Sequence, residues 1–257
     1  MKQTALVTGA STGIGLEIAK ELARKGFDLV LVARSEDKLR ELEKLLNPFV
    51  GVTVLPFDLA HDDAPQQIFE ALEGRRIDLL INNAGFGDYG FFVEADGAKI
   101  DEMLHVNIVA LTNLTRLFLP GMIERRSGRI LNVGSIAAYF PGPLMTTYYA
   151  TKAFVLSFSE GLANEVLGTG VTVTCLNPGP TTSGFQARAS MTKSKPGTAG
   201  YMSAKVVAKR GVKSMLRGDV ICTPGLFNRF LAIFPRLVPR GAMPVIMRRI
   251  QERNPEN

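Results

Sequence analysis

The sequence predicts an α/β fold: a single domain, residues 1–257, in which a parallel sheet is covered on both faces by helices. Three observations carry that expectation. Short runs of β-branched and apolar residues alternate with amphipathic helical patterns from Lys2 to Cys175, the pattern of a parallel, doubly covered sheet. The first run ends in a glycine-rich turn that opens directly into a helix. The chain has 257 residues and 46% hydrophobic content, enough for one sizeable core.

The elements follow in order. Lys2–Val7 reads as the first strand and leads into Thr8-Gly9-Ala10-Ser11-Thr12-Gly13-Ile14-Gly15; the helical pattern after it runs to Arg24, with Ile14, Ile18 and Leu22 on one side. Strand, glycine turn and helix stand in the order a dinucleotide-binding βαβ unit needs. Glycines let backbone N–H groups approach a pyrophosphate, and the helix turns its positive end toward that charge. Gly9, Ser11, Thr12, Gly13, Ile14 and Gly15 are therefore candidate cofactor contacts, with a purely structural turn as the alternative.

Asp28–Ala33 is the second strand, and the residue at its tip selects the cofactor. An acid there would hold a ribose 2′-hydroxyl, and a cation a 2′-phosphate. The tip reads Ala33-Arg34-Ser35, with no carboxylate before Glu36. Guanidinium pairs with phosphate in a bidentate manner, which favours NADPH; a solvated arginine opening the next helix is the alternative. A helix near 36–47, a strand at Val52–Phe57, a helix near 64–73 and a strand at Ile77–Ile81 continue the alternation. Asp58 and Leu59 follow the third strand, and Asn82-Asn83-Ala84-Gly85 the fourth, at the strand ends where open α/β sheets bind ligands. Asp58, Leu59, Asn83, Ala84 and Gly85 are candidate contacts to the adenosine side, or else caps and turns.

A helical pattern over about 98–124 contains Asn107 among apolar residues, either a satisfied core amide or a functional one. Gly128–Gly134 is the fifth strand, with Ser135 at its end. Thirteen residues later stands Tyr148, with Lys152 four residues beyond it. Positions i and i+4 share a helix face, so the ammonium should favour the phenolate and draw the tyrosine's pKa down from about 10. Tyr149 has no lysine at that spacing. The helix runs to about Leu167, Val171–Cys175 is the sixth strand, and Asn177-Pro178-Gly179-Pro180-Thr181 turns the chain.

In combination, Thr8-Gly-x-x-x-Gly13-x-Gly15, Asn82-Asn83-Ala84-Gly85, Asn107, Ser135, Tyr148-x-x-x-Lys152 and Pro178-Gly179 resemble the short-chain dehydrogenase/reductase family over about residues 2–185. The resemblance implies a Rossmann-type domain of about seven strands and an Asn107-Ser135-Tyr148-Lys152 tetrad. In that pattern Ser135 bonds the carbonyl oxygen, Tyr148 delivers the proton, and Lys152 binds the nicotinamide ribose. Asn107 anchors a water linking Lys152 to solvent. Carbonyl reduction needs those parts, a donor aimed at the developing oxyanion and a proton source. Pro178, Gly179, Thr181 and Ser183 border the carboxamide end; the family's Pro-Gly-x-Val-x-Thr here has Thr181 at the valine position and Ser183 at the threonine. A non-catalytic NADPH-binding scaffold or sensor is the alternative class, and it would not need a whole tetrad. His61 and His105 have no part in this chemistry.

Residues 184–203, rich in Gly, Ser, Thr, Lys and Met, are expected to form a substrate lid. Phe86, Tyr89, Phe91, Phe92, Tyr139, Phe140, Phe185 and Met191 suggest an apolar pocket and a lipophilic ketone or aldehyde, 3-oxoacyl or steroid-like, as substrate. Cys175 and Cys222 lack metal-ligand spacing and read as reduced core thiols. No signal segment is recognised, and no run approaches the ~18 apolar residues of a membrane span; a cytoplasmic protein is expected. The net charge of +6 is uneven, because residues 1–180 carry −5 and residues 181–257 carry +11. From Lys205 to Arg253 the cations face almost no acid but Asp219. The extension at 224–257 also carries Leu226, Phe227, Phe230, Leu231, Ile233 and Phe234. It is expected to pack in a homo-dimer or homo-tetramer, or to lie peripherally on an anionic membrane. Nucleic acid is not an expected partner, since no recognition helix or aromatic platform accompanies the charge.

Overall fold

Strands whose residues are apolar on both sides require cover on both faces, and each strand's period of two divides its side chains between two helix layers. A computed structural model describes residues 2–182 and 201–252. Its elements are β1 (Thr4–Thr8), α1 (Gly13–Arg24), β2 (Asp28–Val32), α2 (Glu36–Leu46), β3 (Val52–Leu55), α3 (Ala64–Glu70) and β4 (Leu79–Asn82). After these come α4 (Gly97–Leu104), a π-helical turn (His105–Val109), α5 (Ala110–Glu124), β5 (Gly128–Val133), α6 (Thr146–Glu165) and β6 (Val171–Leu176). The last part holds β7 (Thr181–Thr182), β8 (Met202–Ser203), α7 (Ala204–Arg217), β9 (Ile221–Cys222), α8 (Leu226–Ile233) and α9 (Met243–Gln251).

Among the described residues the main sheet has seven strands in the order β3-β2-β1-β4-β5-β6-β9, paired parallel throughout. Ala5 and Val7 pack toward Ile18, Leu22, Leu39 and Val212 of α1, α2 and α7. Leu6 and Leu80 pack toward Ile68, Leu114, Phe118 and Leu162 of α3, α5 and α6. The chain moves from β1 outward to β3 and then returns to place β4 on the other side of β1. That reversal opens a crevice at the carboxyl ends of β1 and β4, where such sheets bind ligands.

The structure adjusts several expectations. The predicted helix over 98–124 is continuous in the chain but passes through the π-helical turn His105–Val109, which contains Asn107. The helical run Gly97–Glu124, 28 residues, is long and apolar enough by composition to cross a bilayer, contrary to the sequence expectation. Core packing accounts for that composition, since α5 buries Leu111, Leu114, Phe118 and Met122. The basic run at 205–217 is the solvent face of α7, whose Val207, Val212 and Met215 are fully buried. An added Cβ at Gly211 would stand 2.6 Å from Leu176 Cδ2, so α7 sits close on β6. The last residues of the expected lid are ordered elements instead: Met202 and Ser203 form β8 beside β7, and Ser203 caps α7 by accepting from Val206 N at 3.3 Å. Residues 184–200 of that expectation, with Ser183, Phe185 and Met191, lie outside the described residues.

Behind the crevice a buried polar chain crosses the sheet. Asn82 Nδ2 donates to Thr115 Oγ1 at 3.1 Å and to Asn132 Oδ1 at 2.9 Å. Asn132 Nδ2 donates to Ser159 Oγ at 3.0 Å, so β4, β5, α5 and α6 are tied at one depth. Leaving such groups unpaired in a dry core is costly. Asn132→Ala is expected to lower the unfolding free energy by ~1–3 kcal/mol, read from the midpoint of chemical denaturation at unchanged slope.

Candidate active site

The glycine turn is shaped by what lies under it. Gly9 and Gly13 have φ of 63° and 59°, a region that favours glycine. A Cβ on Gly15 would stand 2.3 Å from Gly9 O and 2.3 Å from Asn83 Nδ2. Thr8 Oγ1 donates to Ile81 O at 3.2 Å and accepts from Asn83 N at 2.9 Å and Ala84 N at 3.0 Å. Asn83 Nδ2 returns the contact to Thr8 O at 2.9 Å and Gly9 O at 3.2 Å. The Asn83 amide thus serves as a brace for the loop.

A cleft of about 350 Å³ runs from this loop across the ends of β1, β4 and β5. It brings together Gly9, Ser11, Thr12, Gly13 and Ile14 of the glycine turn with Arg34, Asp58, Leu59, Asn83, Ala84 and Gly85. At its other end stand Ser135, Tyr148, Lys152, Pro178, Gly179 and Thr181. Gly15 and Asn107 lie behind the wall. Of the expected apolar lining in the described residues, Phe86 reaches the cleft. Tyr139 is drawn away, its hydroxyl accepting from Asn177 Nδ2 at 3.1 Å, and Phe91 and Phe92 are exposed.

Local structure positions the reacting end. Ser135 stands two residues past β5 and its N–H donates to Asn177 Oδ1 at 3.2 Å, while Ile136 N donates to Pro178 O at 3.0 Å; the segments leaving β5 and β6 are therefore pinned together. Tyr148 and Lys152 are both buried on α6, and Lys152 Nζ lies 5.8 Å from the Tyr148 ring centroid. Nζ donates to Val133 O at 2.9 Å. Burial is the largest influence on both groups. It pushes the Tyr148 phenol well above its ordinary value, opposed by a hydrogen bond with Ser135, and lowers Lys152 to about 8. The expected lowering of the tyrosine by its neighbouring ammonium is thus reversed in the protein itself, because desolvation of the buried phenol outweighs the hydrogen bond with Ser135 that favours the phenolate.

Asn107 is spent on its surroundings. Its Nδ2 donates to Phe86 O at 2.9 Å and Thr151 Oγ1 at 3.0 Å, and its Oδ1 accepts from Phe86 N at 3.1 Å. It joins the loop after β4 to α6. A Cβ on Gly85 would stand 3.0 Å from Asn107 Oδ1 and 3.4 Å from Lys152 Nζ, so the glycine keeps the space between them open.

Sequence reasoning missed Glu102, Met145 and Tyr201, which also line the cleft. Glu102 matters most, because Arg34 Nη1 lies 2.9 Å from Glu102 Oε1 and 3.6 Å from Asp58 Oδ2. No local pattern on α4 could have shown that contact, which joins residues 68 apart in the chain. Thr181 Oγ1 donates to Gly179 O at 2.8 Å. Cys175 and Cys222 are free and buried, and burial pushes the Cys175 thiol up to about 12.

A parallel sheet with this reversal, a glycine turn at its crevice and a Ser-Tyr-Lys cluster beside it define a dinucleotide-dependent oxidoreductase. The comparisons give the family. A model for short chain dehydrogenase matches residues 3–194, and the chain belongs to that family. A very-long-chain 3-oxoacyl-CoA reductase of Anas platyrhynchos is 36% identical over 251 residues, covering 95% of this chain and 78% of the relative. A solved short-chain dehydrogenase from Sphingobium yanoikuyae in complex with NADPH is 32% identical with a TM-score of 0.83, covering 99% of each chain. A bulky-bulky ketone specific alcohol dehydrogenase from Comamonas testosteroni is 31% identical, TM-score 0.78, over 91% of this chain and 93% of that one. The chain is an NADP-dependent short-chain dehydrogenase/reductase.

The carboxylates on Arg34 set up a competition with the cofactor's 2′-phosphate. Exposed ion pairs contribute ~0–1 kcal/mol, against ~1.5–3 for a charge-assisted bond to phosphate, so phosphate wins. Arg34→Ala is expected to weaken NADPH binding about tenfold or more and NADH little, whereas Glu102→Gln should tighten NADPH by a few-fold. Fluorescence titration of both cofactors reads these changes; equal losses for NADPH and NADH in Arg34→Ala would remove Arg34 from phosphate recognition.

Proposed function

We propose that the protein reduces the carbonyl of a lipophilic ketone or aldehyde with NADPH, a 3-oxoacyl thioester being the favoured class. The observation that carries this reading is the buried Tyr148 phenol hydrogen-bonded with Ser135 in the same cleft as the glycine turn. The cofactor, when bound, supplies the hydride. Ser135 Oγ would donate to the carbonyl oxygen as it gains negative charge, and Tyr148 would give that oxygen its proton. A phenol whose value is not lowered remains protonated at neutral pH and would yield its proton once the oxyanion forms beside it. Lys152, lowered to about 8, is still mainly a cation at pH 7 and would bind the nicotinamide ribose. Gly85 places no side chain between Asn107 Oδ1 and Lys152 Nζ, and a water accepting from Lys152 Nζ would fit the expected path of protons from solvent.

The substrate class is supported from two sides. Phe86, Val106, Ile136, Ala137 and Met145 give much of the cleft an apolar wall, and the 36%-identical relative is named for a very-long-chain 3-oxoacyl-CoA substrate. A bulky ketone is named for one structural neighbour. We further propose that the protein assembles as a homo-dimer or homo-tetramer, as expected from the family resemblance.

The test is NADPH oxidation with a series of 3-oxoacyl thioesters, steroid ketones and short aldehydes. Rates should rise with acyl length. Tyr148→Phe removes the proton and little else; turnover is expected to fall at least about a thousandfold with NADPH affinity nearly intact, a loss in the range of general acid catalysis. A folded variant that keeps more than about a tenth of the wild-type rate would contradict the assignment.

The pH dependence follows from the sign of the lysine shift. Lys152 loses its proton as pH rises through about 8, so kcat/KM for reduction should hold below that value and decline above it, reporting the free enzyme. Tyr148 stays protonated across the same range. A profile level to pH 10 would place the lysine outside the reaction.

A further inference from the structure

The cationic C-terminal portion divides into two kinds of surface. On α7 the charges form the solvated side of a core helix, and Arg217 pairs with Asp219. No such account covers α8 and the turn after it. From Val220 to Gln251 the chain has five arginines and not one Asp or Glu.

One side of α8 is fastened to the active site. Asn228 is 7% exposed, its Nδ2 donates to Pro224 O at 2.7 Å, and a Cβ on Gly179 would meet its amide at 2.5 Å. Gly179 itself lines the cleft. Among the described residues the opposite side is uncovered: Leu226 is 83% exposed, Phe227 71%, Phe230 57% and Ile233 56%. At 100° per residue these four fall within an arc of about 120°, with Asn228 on the far side. Phe230 and Phe234 lie 6.0 Å apart along the stripe, and Leu237 beyond it is 75% exposed. Arg229, Arg236 and Arg240 are exposed beside it.

We propose that this face of α8 seats the enzyme on an anionic lipid surface, the apolar stripe entering the headgroup boundary and the arginines meeting lipid phosphates. The helix has eight residues, far too short to span a bilayer but suited to lying in its plane. Charge decides between occupants. A second copy related by a two-fold axis would bring the same arginine-rich face against itself. A contact with the acidic portion of another copy would join unlike patches and would propagate rather than close unless its rotation happened to form a ring. A surface of phosphates satisfies both the apolar stripe and the charge around it. The seat of Asn228 on Gly179 then brings the cleft close to the lipid. This inference stands apart from the choice of substrate, since binding is read without turnover.

Co-sedimentation of the full chain with vesicles tests it, using phosphatidylcholine alone and phosphatidylcholine with about one-quarter phosphatidylserine. Binding is expected with the mixed vesicles only, weakening about tenfold or more from low to high salt. Phe227→Ser/Phe230→Ser should lose binding about tenfold or more, with NADPH oxidation by a small water-soluble aldehyde unchanged, which shows that the fold is kept. Arg236→Glu/Arg240→Glu should lose binding to a similar degree. Absence of binding to mixed vesicles at low salt would falsify the proposal, and equal binding to both vesicle types would remove its electrostatic half. Light scattering without vesicles supplies the remaining outcome: a serine variant that dissociates a wild-type oligomer would assign the face to a second copy and overturn the membrane.

Discussion

Every part of the active site depends on how β1 and β4 are held at the point where the sheet reverses. Parallel neighbours pair through their backbones, but the loops leaving their ends have no ladder to continue. The Thr8 hydroxyl supplies the join by engaging Ile81 O, Asn83 N and Ala84 N, and Asn83 closes it from the other side on Thr8 O and Gly9 O. That fixture sets two distances at once. It fixes the glycine turn, which lines the cleft, and it fixes the loop through Gly85 and Phe86. Asn107 then transmits the position of that loop to α6 through Phe86 and Thr151. Cofactor loop and reacting helix are thereby referred to one hydroxyl.

What the sequence disclosed, and what it concealed, follow from the range of the interactions involved. The strand and helix alternation is written in periods of two and 3.6 residues, so the fold was legible. The glycine turn and the Tyr148–Lys152 pair are local too, and both lie where expected. Element ends moved by a few residues, as at β3, which stops at Leu55 rather than Phe57. Concealed features are tertiary. The pairing of Arg34 with Glu102 joins the end of β2 to α4. β9 has two residues and acquires its identity only by pairing with β6. The five cations of α7 resembled an anion-seeking segment until Val207, Val212 and Met215 showed which side was core. Asn83 was legible as a site residue but not as a brace, because the acceptors it serves lie 74 and 75 residues away.

The sign of the tyrosine shift shows the same limit in electrostatic form. Spacing alone places a cation near a phenol and predicts a lowered pKa. Burial acts on both groups in the direction of neutrality, raising the phenol and lowering the ammonium. The two groups, nearly equal in proton affinity at their ordinary values, are thereby driven apart: the phenol is held neutral and the ammonium becomes the more readily deprotonated of the two. Under the proposed reductase reading, proton transfer would be driven by charge appearing on the substrate oxygen rather than by a phenolate prepared in advance.

The C-terminal helix α9 gives the substrate end a boundary that the early part of the chain could not. Tyr89 Oη donates to Gln251 O at 2.6 Å, and Gln251 Nε2 donates to Tyr149 Oη at 2.8 Å. Tyr149 lines the cleft and packs edge-on against Tyr148 with ring centroids 6.1 Å apart. A side chain at Gly142 would occupy the Tyr149 ring, 2.1 Å from its Cγ, so that glycine fixes the ring from behind. The tyrosine without a lysine at i+4 is therefore not idle. It connects the last helix to the neighbour of the reacting phenol, so the width of the substrate end is set by a residue more than 100 positions later in the chain. Relatives that share the cofactor turn can differ in substrate through this end of the chain alone, without disturbing the chemistry that the first half supplies.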